Sequence, residues 1–222
     1  MKNLFNTLLA CSAFSCASCD VKISSPFGKV VKGSGTVVSE KREVQDFDRI
    51  NLKGSMDVKV THGDRIQCTV RADDNIVPMI LTEVRGQRLH VSLRGSYSTS
   101  QKIVVILEVP ELTEIVLSGS GDVEAVEVIS DDALLKIVGS GDITASGTAK
   151  NIAAEINGSG DLKLASLKSN HVDVAINGSG DASVWATQSL TAKVNGSGDI
   201  IYSGDPKKVD RAVNGSGDIV KK

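Results

Sequence analysis

Ala154-Glu155-Ile156-Asn157-Gly158-Ser159-Gly160-Asp161-Leu162-Lys163-Leu164 decides the fold, because its centre recurs. Gly-Ser-Gly-Asp begins at Gly119, Gly139, Gly158, Gly178, Gly196 and Gly215, at intervals of 20, 19, 20, 18 and 19 residues. A phosphate-binding loop has no reason to keep such a period, so the phrase is a structural repeat.

The flanks identify the unit. Leu117, Ile137, Ile156, Ile176, Val194 and Val213 stand two positions before the first Gly, and Val123, Ile143, Leu162, Ala182, Ile200 and Ile219 follow the Asp. Polar residues such as Lys136, Glu155, Lys163 and Lys193 lie between the apolar ones, which is the alternation of strands with one face inward. Such a unit cannot bury its apolar face alone, but copies stacked at about 4.8 Å bury a continuous column. The expected fold is therefore all-β, a parallel β-helix or β-solenoid with about 19–20 residues per coil. Parallel crossovers are generally right-handed. About 180 ordered residues predict roughly nine coils and a rod of roughly 40 Å.

The corner residues singled out are Gly119, Gly121 and Asp122; Gly139, Gly141 and Asp142; Gly158, Gly160 and Asp161; Gly178, Gly180 and Asp181; Gly196, Gly198 and Asp199; and Gly215, Gly217 and Asp218. Glycine permits a positive φ or close backbone stacking, and Ser or Asp bonds neighbouring N–H groups. Asn157, Asn177, Asn195 and Asn214 precede the phrase and should stack as an amide ladder. Carboxylates one rung apart repel by about 1 kcal/mol in water, which backbone hydrogen bonds at the bend can offset. The sharper reading of the Asp column is a Ca²⁺ ladder, since carboxylates and carbonyls suit that ion. Calcium-binding nonapeptide solenoids use a related phrase at a period of about nine, so the structural corner is preferred and no metal or cofactor is assigned.

Composition narrows the function. The chain has 222 residues, a formal charge of −2 and 3% aromatic residues, with no basic tract, which argues against nucleic acid or an anionic surface as partner. Lys2 followed by an apolar or small stretch to Ser18 reads as a lipoprotein signal peptide over residues 1–18. Ala17-Ser18-Cys19-Asp20 makes Cys19 the lipidated residue, with Cys11 in Leu8-Leu9-Ala10-Cys11 as the alternative. Residues 19–43 read as lipidated Cys and flexible spacer, with Gly33-Ser34-Gly35-Thr36 as a degenerate first corner, and residues 44–222 as the solenoid domain. Cys68 falls on the apolar parity of its strand and reads as a buried, inert thiol.

Within the first half, Gly54-Ser55-Met56-Asp57 reads as a looser corner, and Gly95-Ser96 lies 41 residues on, close to two periods. Asp73-Asp74-Asn75 could cap a helical turn, which Pro78 keeps short. Strands are expected near 81–84, 89–93 and 103–109. Arg211 replaces an inward apolar residue in the last unit.

Catalytic signals are weak. No Gly-x-x-x-x-Gly-Lys or nucleophile-elbow motif is present, and His62, His90 and His171 lie in no metal-type spacing. Trp185 stands at an outward or corner position, where it either anchors a ligand or folds over a neighbouring loop.

Phe47-Asp48-Arg49-Ile50 into Gly54-Ser55, Val109-Pro110-Glu111-Leu112 into Gly119-Ser120-Gly121, and Tyr202-Ser203-Gly204-Asp205-Pro206 into Gly215-Ser216-Gly217 together resemble the auto-transporter adhesin, head GIN domain family. The resemblance spans about residues 46–220. It implies a right-handed parallel β-helix on secreted or lipid-anchored proteins, particularly of Bacteroidota, and supplies no catalytic residue. The expectation is a non-catalytic cell-envelope lipoprotein, held at the outer membrane by its N-terminal lipid and binding a glycan or protein. Alternatives are a carbohydrate-active β-helix enzyme and a structural spacer that associates end to end.

Overall fold

The computed structural model describes residues 30–222; Cys11, Cys19 and the expected signal segment lie outside them. In chain order the strands are β1 (Val31–Lys32), β2 (Val37–Arg42), β3 (Arg49–Gly54), β4 (Asp57–His62), β5 (Gln67–Asp73), β6 (Ile80–Arg85), β7 (Arg88–Leu93), β8 (Tyr97–Ser98) and β9 (Val104–Val109). There follow β10 (Glu114–Gly119), β11 (Val123–Gly139), β12 (Ile143–Gly158), β13 (Leu162–Gly178), β14 (Ala182–Gly196), β15 (Ile200–Gly204), β16 (Lys208–Gly215) and β17 (Ile219–Lys221). A 3₁₀ turn at Val77–Met79 is the one helical element among the described residues.

From β10 onward each strand pairs in parallel with its copy one repeat away. Gly119 faces Gly139, Gly139 faces Gly158, Gly158 faces Gly178, Gly178 faces Gly196 and Gly196 faces Gly215. Leu117, Ile137, Ile156 and Ile176 are fully buried in a single file, each side chain contributing about 1.5–3 kcal/mol by leaving water. The predicted β-solenoid is thus observed.

The glycines explain the sharp corner. Gly158 adopts φ +147°, a conformation that an L side chain resists, and Gly160 is buried with its backbone against the preceding rung. A Cβ on Gly160 would stand 2.0 Å from the Gly141 carbonyl oxygen. Met56 occupies the equivalent place one rung before Gly121 and is fully buried.

The second corner is a bend within continuous strands rather than a break. β11 to β14 are 15–17 residues long and pass through it with shifts of register, at Glu127 (φ +59°) and Gly147 (φ +127°) among other places. Ser130 and Ser169 are buried here, and their hydroxyls donate to the carbonyls of Asp132 and His171.

The first half departs from the expected single coiling. The stack has about five turns rather than nine, because residues 62–109 do not coil singly. β5 runs antiparallel to both β2 and β9, and β6 runs antiparallel to β7. β3 and β4 lie between two neighbours: β7 and β9 on one side, β10 and β11 on the other. Leu89 and Val91 do stack on Ile50 and Leu52, but as the adjacent rung, and Gly95 does not pair with Gly54.

The segment expected as spacer forms β1 and β2, so ordered structure begins before residue 44. Gly33-Ser34-Gly35-Thr36 is not a first rung. Asp73, fully buried, accepts bonds from Gly35 N–H and the Thr99 hydroxyl, and Asn75 bonds Ser34 N–H and the Lys32 carbonyl. Asp73 and Asn75 therefore fasten that loop instead of capping a helix; Ile76 is the cap and makes no side-chain bond.

Gly160→Ala should lower the free energy of unfolding by about 3 kcal/mol or more, because the methyl group meets fixed backbone; Ser159→Ala should cost under about 1 kcal/mol. Urea denaturation of the two variants measures the difference.

Candidate functional site

The Asp column is a chain of hydrogen bonds between rungs. The N–H of Asp122 donates to Asp57 Oδ1 (3.2 Å), that of Asp142 to Asp122 (3.1 Å), and that of Asp161 to Asp142 (2.9 Å). Asp181, Asp199 and Asp218 continue the pattern at 2.9, 2.8 and 2.8 Å. Each carboxylate from Asp57 to Asp199 thus serves the corner of the following repeat, which offsets the repulsion within the column.

Lysines complete the balance. Lys163 bonds Asp142 at 2.6 Å and lies 3.9 Å from Asp161, Lys59 pairs with Glu124 at 2.7 Å, and Lys102 with Asp57 at 3.3 Å. Burial pushes the Asp142 carboxyl up, but the Lys163 hydrogen bond, the Asp161 N–H and the Lys163 charge outweigh it and leave the pKa below the usual value. Among the described residues no cluster of three or more His, Cys, Asp or Glu is gathered around a common point.

A second ladder crosses the outer face. Lys136 donates to Glu155 at 2.7 Å, Asn157 donates to Glu155 at 2.7 Å, Asn177 to Asn157 at 3.0 Å and Asn195 to Asn177 at 3.0 Å. The Lys136 and Asn157 hydrogen bonds hold the Glu155 pKa low. Asn214 occupies the next register position, opposite Asn195.

Trp185 is half-buried, with Lys168 Nζ 3.1 Å from its ring centroid and Ser203 beside it in register. The ring is covered by a cation from the neighbouring rung rather than by a loop. Arg211 lies over Tyr202 at 5.5 Å and donates to the Ile219 carbonyl. Cys68 is buried, and desolvation pushes its thiol up to about 11 despite the nearby Arg42 charge, which suits an inert residue.

A groove of about 440 Å³ runs beside these ladders across several rungs. One wall is the register column Asp132, Asn151, His171 and Ser189. Asn151 Nδ2 donates to Asp132 Oδ1 at 2.7 Å, and His171 Nδ1 shares a 2.8 Å bond with Ser189 Oγ. His171 thus has a partner one rung away although it lies in no metal-type spacing. Sequence reasoning missed the column, although each member stands seven positions before a repeat's first Gly.

Comparison with known proteins follows the fold. Residues 46–206 match the family described as "Putative auto-transporter adhesin, head GIN domain", and the chain belongs to it. The solved structure of a "putative adhesin" from Bacteroides fragilis superposes with a TM-score of 0.71 at 24% identity, covering 86% of this chain and 100% of that one. Two proteins from Parabacteroides distasonis, also 24% identical, share the fold over 87% of this chain and 100% of theirs. One is described as a "putative lipid binding protein" (TM-score 0.60) and the other as a "putative adhesin" (TM-score 0.55). No curated protein matches the chain.

Asp161→Ala should cost about 1–2 kcal/mol by orphaning the Asp181 N–H, whereas Asp161→Asn keeps an acceptor and should cost less than half as much. Because the folded Asp142 carboxyl titrates below its unfolded value of about 3.9, its stabilisation is full above that pH and is lost as pH falls further. Lys163→Ala should flatten that acid limb in unfolding curves between about pH 5 and 2.

Proposed function

We propose that the protein is a non-catalytic, adhesin-like binding module anchored to the cell envelope through a lipid on Cys19. The single observation that supports it most is the pair of in-register polar ladders on a stack whose backbone is fixed at every corner. A scaffold of that kind presents identical groups at intervals of about 4.8 Å, which suits shallow, repeated contact with an extended ligand. Rigidity lowers the ordering cost of such contact. Membership of an adhesin-type family agrees with this reading.

The Gly-Ser-Gly-Asp ridge has a narrower part in it than its prominence suggests. Its glycines are committed to stacking, one oxygen of every carboxylate but the last to the next rung, and the second oxygen of Asp142 to Lys163, leaving the second oxygens of Asp181 and Asp199 and the serines for a ligand. The anchor rests on the Ala17-Ser18-Cys19 pattern, since two or three acyl chains at about 0.8 kcal/mol per buried CH₂ give stable attachment.

Cys19→Ala should move the protein from the membrane to the soluble fraction. Unchanged membrane partition would remove the anchor. Glycan and peptide arrays probed with the purified protein should show saturable binding without turnover; released product would instead favour a carbohydrate-active enzyme.

A further inference from the structure

The geometry points to the groove beside the ladders as a subsite for a linear, neutral or amino-sugar glycan lying along the solenoid axis, one sugar to each rung. This rests on the binding-module reading and gives it a place and a ligand class.

Four features carry the assignment. The first is the wall already described, where a carboxylate, an amide, an imidazole and a hydroxyl follow one another over four rungs. The opposite wall is Leu134, Ala153, Asp173 and Thr191, also aligned in register. Ala153 is exposed and short, which makes the concavity, and Leu134 is 38% exposed, an apolar surface for a sugar ring to rest on. Paired carboxylate and amide groups beside small hydroxyls are the donors and acceptors that vicinal hydroxyls require.

The second is occupancy of the polar atoms. Asn151 and His171 have each spent one side-chain group on a neighbour, which fixes their orientation and leaves Asn151 Oδ1 and His171 Nε2 for a ligand. Asp173 is exposed. The third is support from below: Ser130 Oγ donates to the Asp132 carbonyl at 2.8 Å, and Ser169 Oγ to the His171 carbonyl at 3.0 Å. The wall is therefore held before any ligand arrives, which limits the entropy lost on binding.

The fourth is length matching, which separates a glycan from a peptide. An extended peptide advances about 3.3 Å per residue, with equivalent side chains about 6.6 Å apart, and so falls out of step with a rung of about 4.8 Å within two rungs. A pyranose of a linear β-linked chain is close to one rung in length and each ring is turned over relative to the last, so one ring meets each rung and the same edge returns at every second rung, where the strand spacing of about 4.8 Å is doubled. Asp132 and Asp173 repel acidic sugars, which sets the charge class.

The test uses the full chain in mild detergent with cello-, chito- and manno-oligosaccharides of two to six sugars, oligogalacturonides as the acidic set, and a peptide array. Affinity for at least one neutral or amino-sugar series should rise with length up to about four sugars and then level off, as the rung count requires. Asp173→Ala, and Ala153→Arg to fill the groove, should each weaken binding about tenfold or more while leaving the melting temperature within about 2 °C, as exposed substitutions do. Lys168→Ala, at the Trp185 side of the repeat, should leave binding unchanged. Binding that survives both groove substitutions, or binding of oligogalacturonides alone, overturns the subsite and leaves the binding module standing. Binding of peptides alone overturns the glycan class, and binding of nothing on either panel overturns subsite and module together.

Discussion

Every rung is positioned by a contact between main chains, and that contact exists because glycine leaves no atom in the way. At Gly160 the preceding Gly141 carbonyl lies where a Cβ would be, so the corners nest at strand-to-strand distance. Once nested, the Asp that follows can reach the N–H of the next Asp, and the apolar residues on either side fall into file. Strand packing, the amide ladder and the groove all depend on that close approach. The carboxylate column looks wasteful on charge alone, yet every carboxylate but the last accepts an N–H from the next rung and Asp57 and Asp142 also meet a lysine, so the net effect favours the fold.

The body is built in two ways that meet at β3 and β4. On one side lie rungs related by a simple repeat; on the other, antiparallel strands wrap back and the buried Asp73 ties down the incoming chain. Stability on the repeat side is a sum of neighbour-to-neighbour terms, whereas the other side closes through contacts distant in sequence.

Much of the fold was legible because the pattern was stated six times. Leu117, Ile137 and Ile156 could be placed inside, and the corners located, from spacing alone. The first half misled because alternation reports which face is buried and not which way a strand runs: Leu89-His90-Val91 alternates just as Ile50-Asn51-Leu52 does. Val37 and Val38 gave no signal of a strand held by pairing with β5. The groove was harder still. His171 stands alone in sequence because Ser189 is 18 residues away, and the hollow beside it depends on Ala153 being small.

Met56 gives the stack a fixed origin. It carries a Cβ where the later rungs have glycine, so a Gly-Ser-Gly-Asp unit interposed before it would set a corner carbonyl against that Cβ, as the Met56 carbonyl would stand against a Cβ on Gly121. Downstream, by contrast, a duplicated stretch of 18 to 20 residues would slot in with its Asp-corner hydrogen bonds already provided. Over evolutionary time the molecule can therefore change its reach by whole steps in one direction, gaining or shedding lengths of its outer surface while the antiparallel half keeps its shape.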